Sequence, residues 1–273
     1  MILAFLDFLK YVLLGLVQGI TEPLPISSSG HLVIFKNIFG VIMNDELNFN
    51  IFVNFGSLIA IILYYRLFLK EIIVGAFRYL FKKQKEYQKD FIYIVLVIAA
   101  TIPAGIAGLL LKDLIDSTLS TLLSVAICLL ITGGLLLFIQ AMSKRADQEN
   151  ITLKTAILMG VAQIFGLLPG ISRSGVTTSF GVANKAQLEK ALRFSFMMYI
   201  PVSFASLLLG ILDIDMEQTF FAGYIGAFLM SIIGTFLSIH FFFKLVRKNN
   251  LKYFGYYCLL VSLAIFIYLG VTA

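Results

Sequence analysis

Two short stretches place a carboxylate, an imidazole, a guanidinium and several hydroxyls inside runs that are otherwise apolar. The first extends from Gln18 to His31 and includes Glu22, Pro25, Ser27, Ser28, Ser29 and Gly30. Gln18 and Glu22 are four apart, so on a helix they share one face. A carboxylate in a membrane helix is costly and is by default a functional hypothesis. Glu22 can take a proton or hold a divalent cation, whereas neutral Gln18 is a hydrogen-bonding group or a weak ligand. Pro25 interrupts a helix and Ser27 can cap the next one. The serine amides then lie at a helix N-terminus, where unpaired N–H groups favour an anion. In a helix that starts there, Ser28 and His31 are three apart on one face, a spacing that lets an imidazole assist a hydroxyl nucleophile.

The second stretch is Pro169 to Thr177. Arg173 is its one charge and the only one between Lys154 and Lys185. Guanidinium keeps its charge and grips phosphate through a planar fork of donors. Ser172, Ser174 and Thr177 would add donors beside it. An acid, a histidine, hydroxyls and an arginine together suggest phosphoryl transfer, which depends on positioning and charge neutralisation. A divalent cation between Glu22 and a diphosphate fits hard-oxygen ligation.

The two stretches are related. Shifting residues 15–30 by 145 positions gives six matches in sixteen without a gap: Gly15 with Gly160, Gln18 with Gln163, Ile26 with Ile171, Ser27 with Ser172, Ser29 with Ser174, and Gly30 with Gly175. The mismatches carry the chemistry. Glu22 falls opposite Leu167, Ser28 opposite Arg173, and His31 opposite Val176.

These residues must be positioned within a bilayer. The 273 residues are 60% hydrophobic and 13% charged, with a mean hydropathy of +0.96. Soluble domains are about 45–50% apolar and about 25% charged. Spans of the length a membrane helix needs are predicted at 50–66, 91–111, 119–142, 194–212, 219–243 and 252–271. Regions 4–43 and 155–190 are also apolar but broken by Pro, Gly and Ser, which predicts two half-length helices joined by a turn in each. The net charge of +6 resides in short basic stretches at 66–89, 144–154 and 244–252. They mark the cytoplasmic side and give no sign of a nucleic-acid surface. Asp45 and Glu46, Asp113 and Asp116, and Asp213, Asp215 and Glu217 mark the other side. The fold class is therefore an all-α integral membrane bundle of about six full spans plus two broken re-entrant hairpins. It is one domain of two repeats, about 1–142 and 143–273, inverted with respect to each other, with a shared site at membrane depth. The two cysteines, Cys128 and Cys258, lie in apolar runs and read as small buried hydrophobes. His240, in an apolar span without polar neighbours, reads as structural.

The motifs Gly15-x-x-Gln18-Gly19-x-Thr21-Glu22-x-x-Pro25-x-Ser27-Ser28-Ser29-Gly30-His31 and Pro169-Gly170-x-Ser172-Arg173-Ser174-Gly175-x-Thr177 resemble the two signatures of the bacterial undecaprenyl-diphosphate phosphatases, the bacitracin-resistance family. The resemblance covers essentially the whole chain. It implies hydrolysis of undecaprenyl diphosphate to undecaprenyl phosphate, the lipid carrier of cell-wall synthesis. It also implies Mg²⁺ or Ca²⁺ dependence, a bacterial cell membrane location and a site opening to the outer face. Under it, Ser28 is the candidate nucleophile, His31 the histidine and Arg173 the phosphate-binding arginine. The family's acidic motif, Glu or Gln followed four residues later by Glu, takes its Gln form here in Gln18 and Glu22, so Glu22 is the main candidate metal ligand. The alternative is a transporter or flippase of a polyprenyl phosphate, because inverted repeats with broken helices are a transporter architecture. Oligomeric state leaves no mark in the sequence, and a homodimer stays open.

Overall fold

The computed structural model describes residues 2–41, 46–115, 119–211, 220–248 and 250–272. Among them the chain forms α-helices throughout: α1 (Ile2–Thr21), α2 (Ser28–Phe39), α3 (Glu46–Tyr64), α4 (Arg66–Lys82), α5 (Gln88–Leu114), α6 (Leu122–Met142), α7 (Leu153–Phe165), α8 (Arg173–Ala183), α9 (Leu188–Ile211), α10 (Phe221–Arg247) and α11 (Lys252–Thr272). Five of these, α5, α6, α9, α10 and α11, are long and apolar enough to cross a membrane, or six with α3 and α4 taken as one bent span. Their outward faces are apolar, as at Leu67, Leu110 and Val271. Lipid, not water, is the solvent such faces fit. The core is aromatic, with Phe49, Phe194, Phe196 and Phe242 fully buried. Asp45, Asp116, Asp213, Asp215 and Glu217, and the side chains of Glu46 and Asp113, lie outside the described residues.

Two expectations need correction. Region 4–43 is not a pair of half-length helices, because α1 alone runs 20 residues, about 30 Å at 1.5 Å per residue. The break falls after Thr21, where Pro23 and Pro25 each lack an N–H to continue the ladder. Region 155–190 does hold two short helices, α7 and α8, of 13 and 11 residues. The basic stretch after Arg66 suggests a loop, yet it forms α4, bent 74° from α3. Its apolar residues are interleaved with Lys70, Glu71 and Arg78 and bury Ile72, Gly75 and Ala76 on one face. Helical periodicity with one buried face outweighs local charge there. The bend occurs at Tyr65, whose φ of −93° and ψ of 10° leave the helical region.

Paired positions of the two stretches do parallel work. α1 packs along α10, and α7 along α5. A Cβ on Gly15 would meet the backbone of Ala227, and one on Gly160 the backbone of Ala100. Each glycine thus allows a close helix crossing of the kind membrane bundles rely on. We expect Gly15→Ala to wedge α1 from α10 and destabilise the fold by about 1–3 kcal/mol. Thermal unfolding in detergent measures this, and an unchanged midpoint would mean that the crossing relaxes freely.

Candidate active site

The turn after α1 and the turn after α7 meet in the interior. Ser27 caps α2 by accepting the Gly30 amide at 3.3 Å, and Ser172 caps α8 by accepting the Gly175 amide at 3.1 Å. The Ser27 hydroxyl also accepts the Gly170 amide at 3.0 Å, which ties the two turns together. Two backbone positions make this junction. Ser27 has φ 68°, unusual for a residue with a side chain, and Gly170 has φ 99°, where glycine is at home. A Cβ on Gly30 would lie 2.9 Å from Gly170 atoms, so the turns touch through glycine. Thr132 of α6 anchors the second turn, donating to the Gly170 carbonyl at 2.8 Å and accepting the Ser172 amide at 3.0 Å.

The caps place Ser28 and Arg173 each at the first residue of its helix. Both are partly exposed, whereas Gln18, Glu22, Ser27, His31, Ser172, Ser174 and Thr177 are buried. Glu22 joins the two halves. One of its oxygens accepts from Arg173 at 2.7 Å. The other accepts the Ser28 hydroxyl at 2.5 Å and the Gln18 amide at 2.9 Å. Gln18 also donates to Asn54 of α3 at 2.7 Å. The guanidinium lies 4.1 Å above the Tyr199 ring of α9 and donates to the Ser195 carbonyl at 3.3 Å. Stacking on an aromatic face holds it in place without neutralising it.

The pairing of Ser28 with His31 does not form. Ser28 is directed to Glu22, while both nitrogens of His31 are engaged elsewhere. Nδ1 lies 2.8 Å from the Ser27 carbonyl and Nε2 2.8 Å from the Tyr257 hydroxyl of α11. In the neutral ring, the carbonyl requires the proton on Nδ1, and Nε2 accepts from Tyr257. The rings stack at 5.6 Å. The carboxylate is therefore the group placed to take a proton from Ser28, and His31 braces the turn. The other expected hydroxyls serve mainly in the scaffold. Ser174 lies 3.3 Å from Ser172, and Thr177 binds the Arg173 carbonyl and Ser195. Ser29 is exposed beside Ser27.

Asn54, Thr132, Ser195, Tyr199 and Tyr257 escape the sequence reading. Each is one ordinary polar group in a long apolar span, and only its cost at membrane depth hints at a role. Tyr257→Phe should leave His31 Nε2 without its partner. The expected result is a several-fold loss of turnover and a loss of about 1–3 kcal/mol in stability, typical of a buried group left unpaired. Equal stability and turnover in the variant would remove Tyr257 from this account.

As for a metal, no group of three or more His, Cys, Asp or Glu side chains stands together among the described residues. Glu22 is instead accompanied by neutral oxygens. Gln18 turns its nitrogen to Glu22 and Asn54, so its buried, partnerless Oε1 would join an ion on Glu22 once the amide rotates, and the Ser28 hydroxyl already touches the carboxylate. One carboxylate with neutral oxygens suits a hard divalent ion that takes its remaining ligands from substrate phosphates.

The fold and this centre describe a multi-pass, all-helical membrane protein with a carboxylate, a hydroxyl and a guanidinium linked between two helix N-termini. The chain belongs to the family of bacitracin resistance protein BacA, whose model matches residues 11–264. It is 42% identical over 97% of its length to undecaprenyl-diphosphatase 2 of Bacillus thuringiensis, covering 99% of that protein. It is 39% identical to an undecaprenyl-diphosphatase of Oceanobacillus iheyensis, over 97% of this chain and 98% of the relative. A third relative, undecaprenyl-diphosphatase 1 of Halalkalibacterium halodurans, is 42% identical over 94% of each chain.

Proposed function

We infer that the chain hydrolyses undecaprenyl diphosphate to undecaprenyl phosphate and inorganic phosphate. Full-length likeness to bacterial proteins of that name supports the reaction. One observation carries the mechanism: Glu22 contacts the Ser28 hydroxyl and the Arg173 guanidinium at once.

The terminal phosphoryl group sits between the two turns, and its oxygens take Arg173 from Glu22. The carboxylate, released from Arg173, keeps its contact with Ser28. Ser28 Oγ attacks the terminal phosphorus while its proton passes to Glu22. The bridging P–O bond breaks, and undecaprenyl phosphate leaves with the bridging oxygen. Glu22 sheds that proton, takes another from a water that attacks the phosphoserine, and returns it to Ser28 Oγ as the P–Oγ bond breaks and free phosphate leaves. Arg173 and the amides of α2 and α8 stabilise charge on the transferring group. Glu22, Gln18 and Ser28 would hold Mg²⁺ or Ca²⁺ against the diphosphate, where the ion would neutralise charge. The family resemblance supports a site opening to the outer face. The matched duties of Gly15 and Gly160, and of Ser27 and Ser172, support a two-repeat domain of about 1–142 and 143–273.

The test is phosphate release by purified protein from undecaprenyl diphosphate, with the stereochemistry read on the thiophosphate released in H₂¹⁷O from an analogue whose terminal phosphorus carries sulfur, ¹⁶O and ¹⁸O. Two in-line displacements retain configuration, and direct attack by water inverts it. Retention is expected; inversion removes the serine step, and no release removes the function.

A further inference from the structure

A polar cavity lies at the basic end of the bundle, and neither Glu22 nor Arg173 lines it. Its volume is about 390 Å³, and its walls include Lys144 after α6, Lys190 and Arg193 of α9, and Arg247 at the end of α10. Glu189 is the one carboxylate among the lining residues. It reaches only Arg247, at 3.9 Å, with both side chains more than half exposed. Such a pair holds its cation weakly, so the lining keeps an excess of positive charge. Arg193 is held across the Phe68 ring at 4.9 Å, which fixes its guanidinium near the cavity. The first turn of α9, Leu188 to Lys190, is also part of the wall, and amides at a helix start favour anions.

The cavity is separate from the catalytic centre. Arg173 touches α9 at Ser195, two residues beyond the last lining residue of that helix, Arg193, and so about 200° around the helix axis from it. Phe194 and Phe196, the residues on either side of Ser195, are fully buried, and Phe196 packs against Tyr65. The basic stretches at this end mark the cytoplasmic leaflet, whose surface carries anionic lipid, and basic pockets between helices there suit phosphate headgroups.

We propose that this cavity is a binding site for a phosphate-bearing anion, distinct from the hydrolytic site. The ligand chemistry is a phosphate group approached by two guanidinium and two ammonium groups. An anionic phospholipid headgroup and free inorganic phosphate both present it.

The test uses the full-length protein in vesicles of phosphatidylcholine alone, phosphatidylcholine with added inorganic phosphate, and phosphatidylcholine mixed with phosphatidylglycerol. Amide hydrogen exchange is followed at 143–145 and 187–193. Slower exchange with phosphatidylglycerol only assigns the site to a lipid headgroup. Slower exchange with inorganic phosphate assigns it to the free ion. Either result must weaken in Lys144→Gln and Arg247→Gln, by about fivefold in affinity for each cation removed. Both side chains are exposed, so the variants should fold, and Lys144→Arg should retain binding. Undecaprenyl diphosphate hydrolysis in phosphatidylcholine should be unchanged in all of them. No protection in either arm, or equal protection of the double variant, overturns the proposal.

Discussion

Arg173→Ala is expected to lower phosphate release by about 10³-fold or more, the range found when an arginine that stabilises phosphoryl transfer is removed. A second effect comes with it. Glu22 would remain buried without its cation, which costs about 3–5 kcal/mol when one partner of a buried pair is deleted. The two effects separate. Glu22→Gln combined with Arg173→Ala should regain much of the stability, since no lone charge is left, and none of the activity. Arg173→Lys should keep a charge near Glu22 but lose the planar fork and the stacking on Tyr199, giving partial stability and poor turnover. Phosphate-release kinetics and thermal unfolding on the four proteins make the test. Near-normal turnover in Arg173→Ala would end the assignment of Arg173 to the phosphate.

The other large effect is expected at Ser28. Its hydroxyl donates to Glu22 and takes no part in capping α2, a task Ser27 performs. Ser28→Ala should therefore fold normally while turnover falls by about 10⁴-fold or more, as when a nucleophile is deleted from a coupled catalytic unit. Acid quenching of the wild type with labelled substrate should trap label on Ser28, and the variant should trap none. Ser27→Ala makes the contrast. It removes a cap and the acceptor for the Gly170 amide, so it should cost about 1–2 kcal/mol in stability. Substantial turnover in Ser28→Ala would show that water attacks directly.

The positions of Ser28 and Arg173 were legible in the sequence because the gapless 145-residue shift sets them at one register point of two like turns. Every span expected from hydropathy has its helix, since length and apolar content suffice for that. α4 was not legible from its charges, because a cationic amphipathic helix and a basic loop have similar composition. Its buried face shows only in the periodicity. The partner of Ser28 is Glu22 and not His31 for a related reason. Helical spacing allows Ser28 to meet His31, but it says nothing about Tyr257 at 226 residues' distance, which claims the imidazole. Nor could it show that Glu22 reaches Arg173 across 151 residues. Asn54, Ser195 and Tyr199 come from other helices, and only their shared destination makes them a group.

The pair formed by Glu22 and Arg173 also bears on how the enzyme lets go. In the resting protein the guanidinium already has an anion, so under the mechanism proposed above an incoming diphosphate must compete with a tethered carboxylate. Part of its intrinsic affinity is cancelled by that exchange. The same carboxylate waits beside the cation when the phosphate produced at the end of the cycle begins to leave, and it can take the vacated place at once. A site that gripped phosphate with Arg173 alone would hold its own product longer. The internal anion thus acts as a built-in competitor, trading tightness of binding for speed of release.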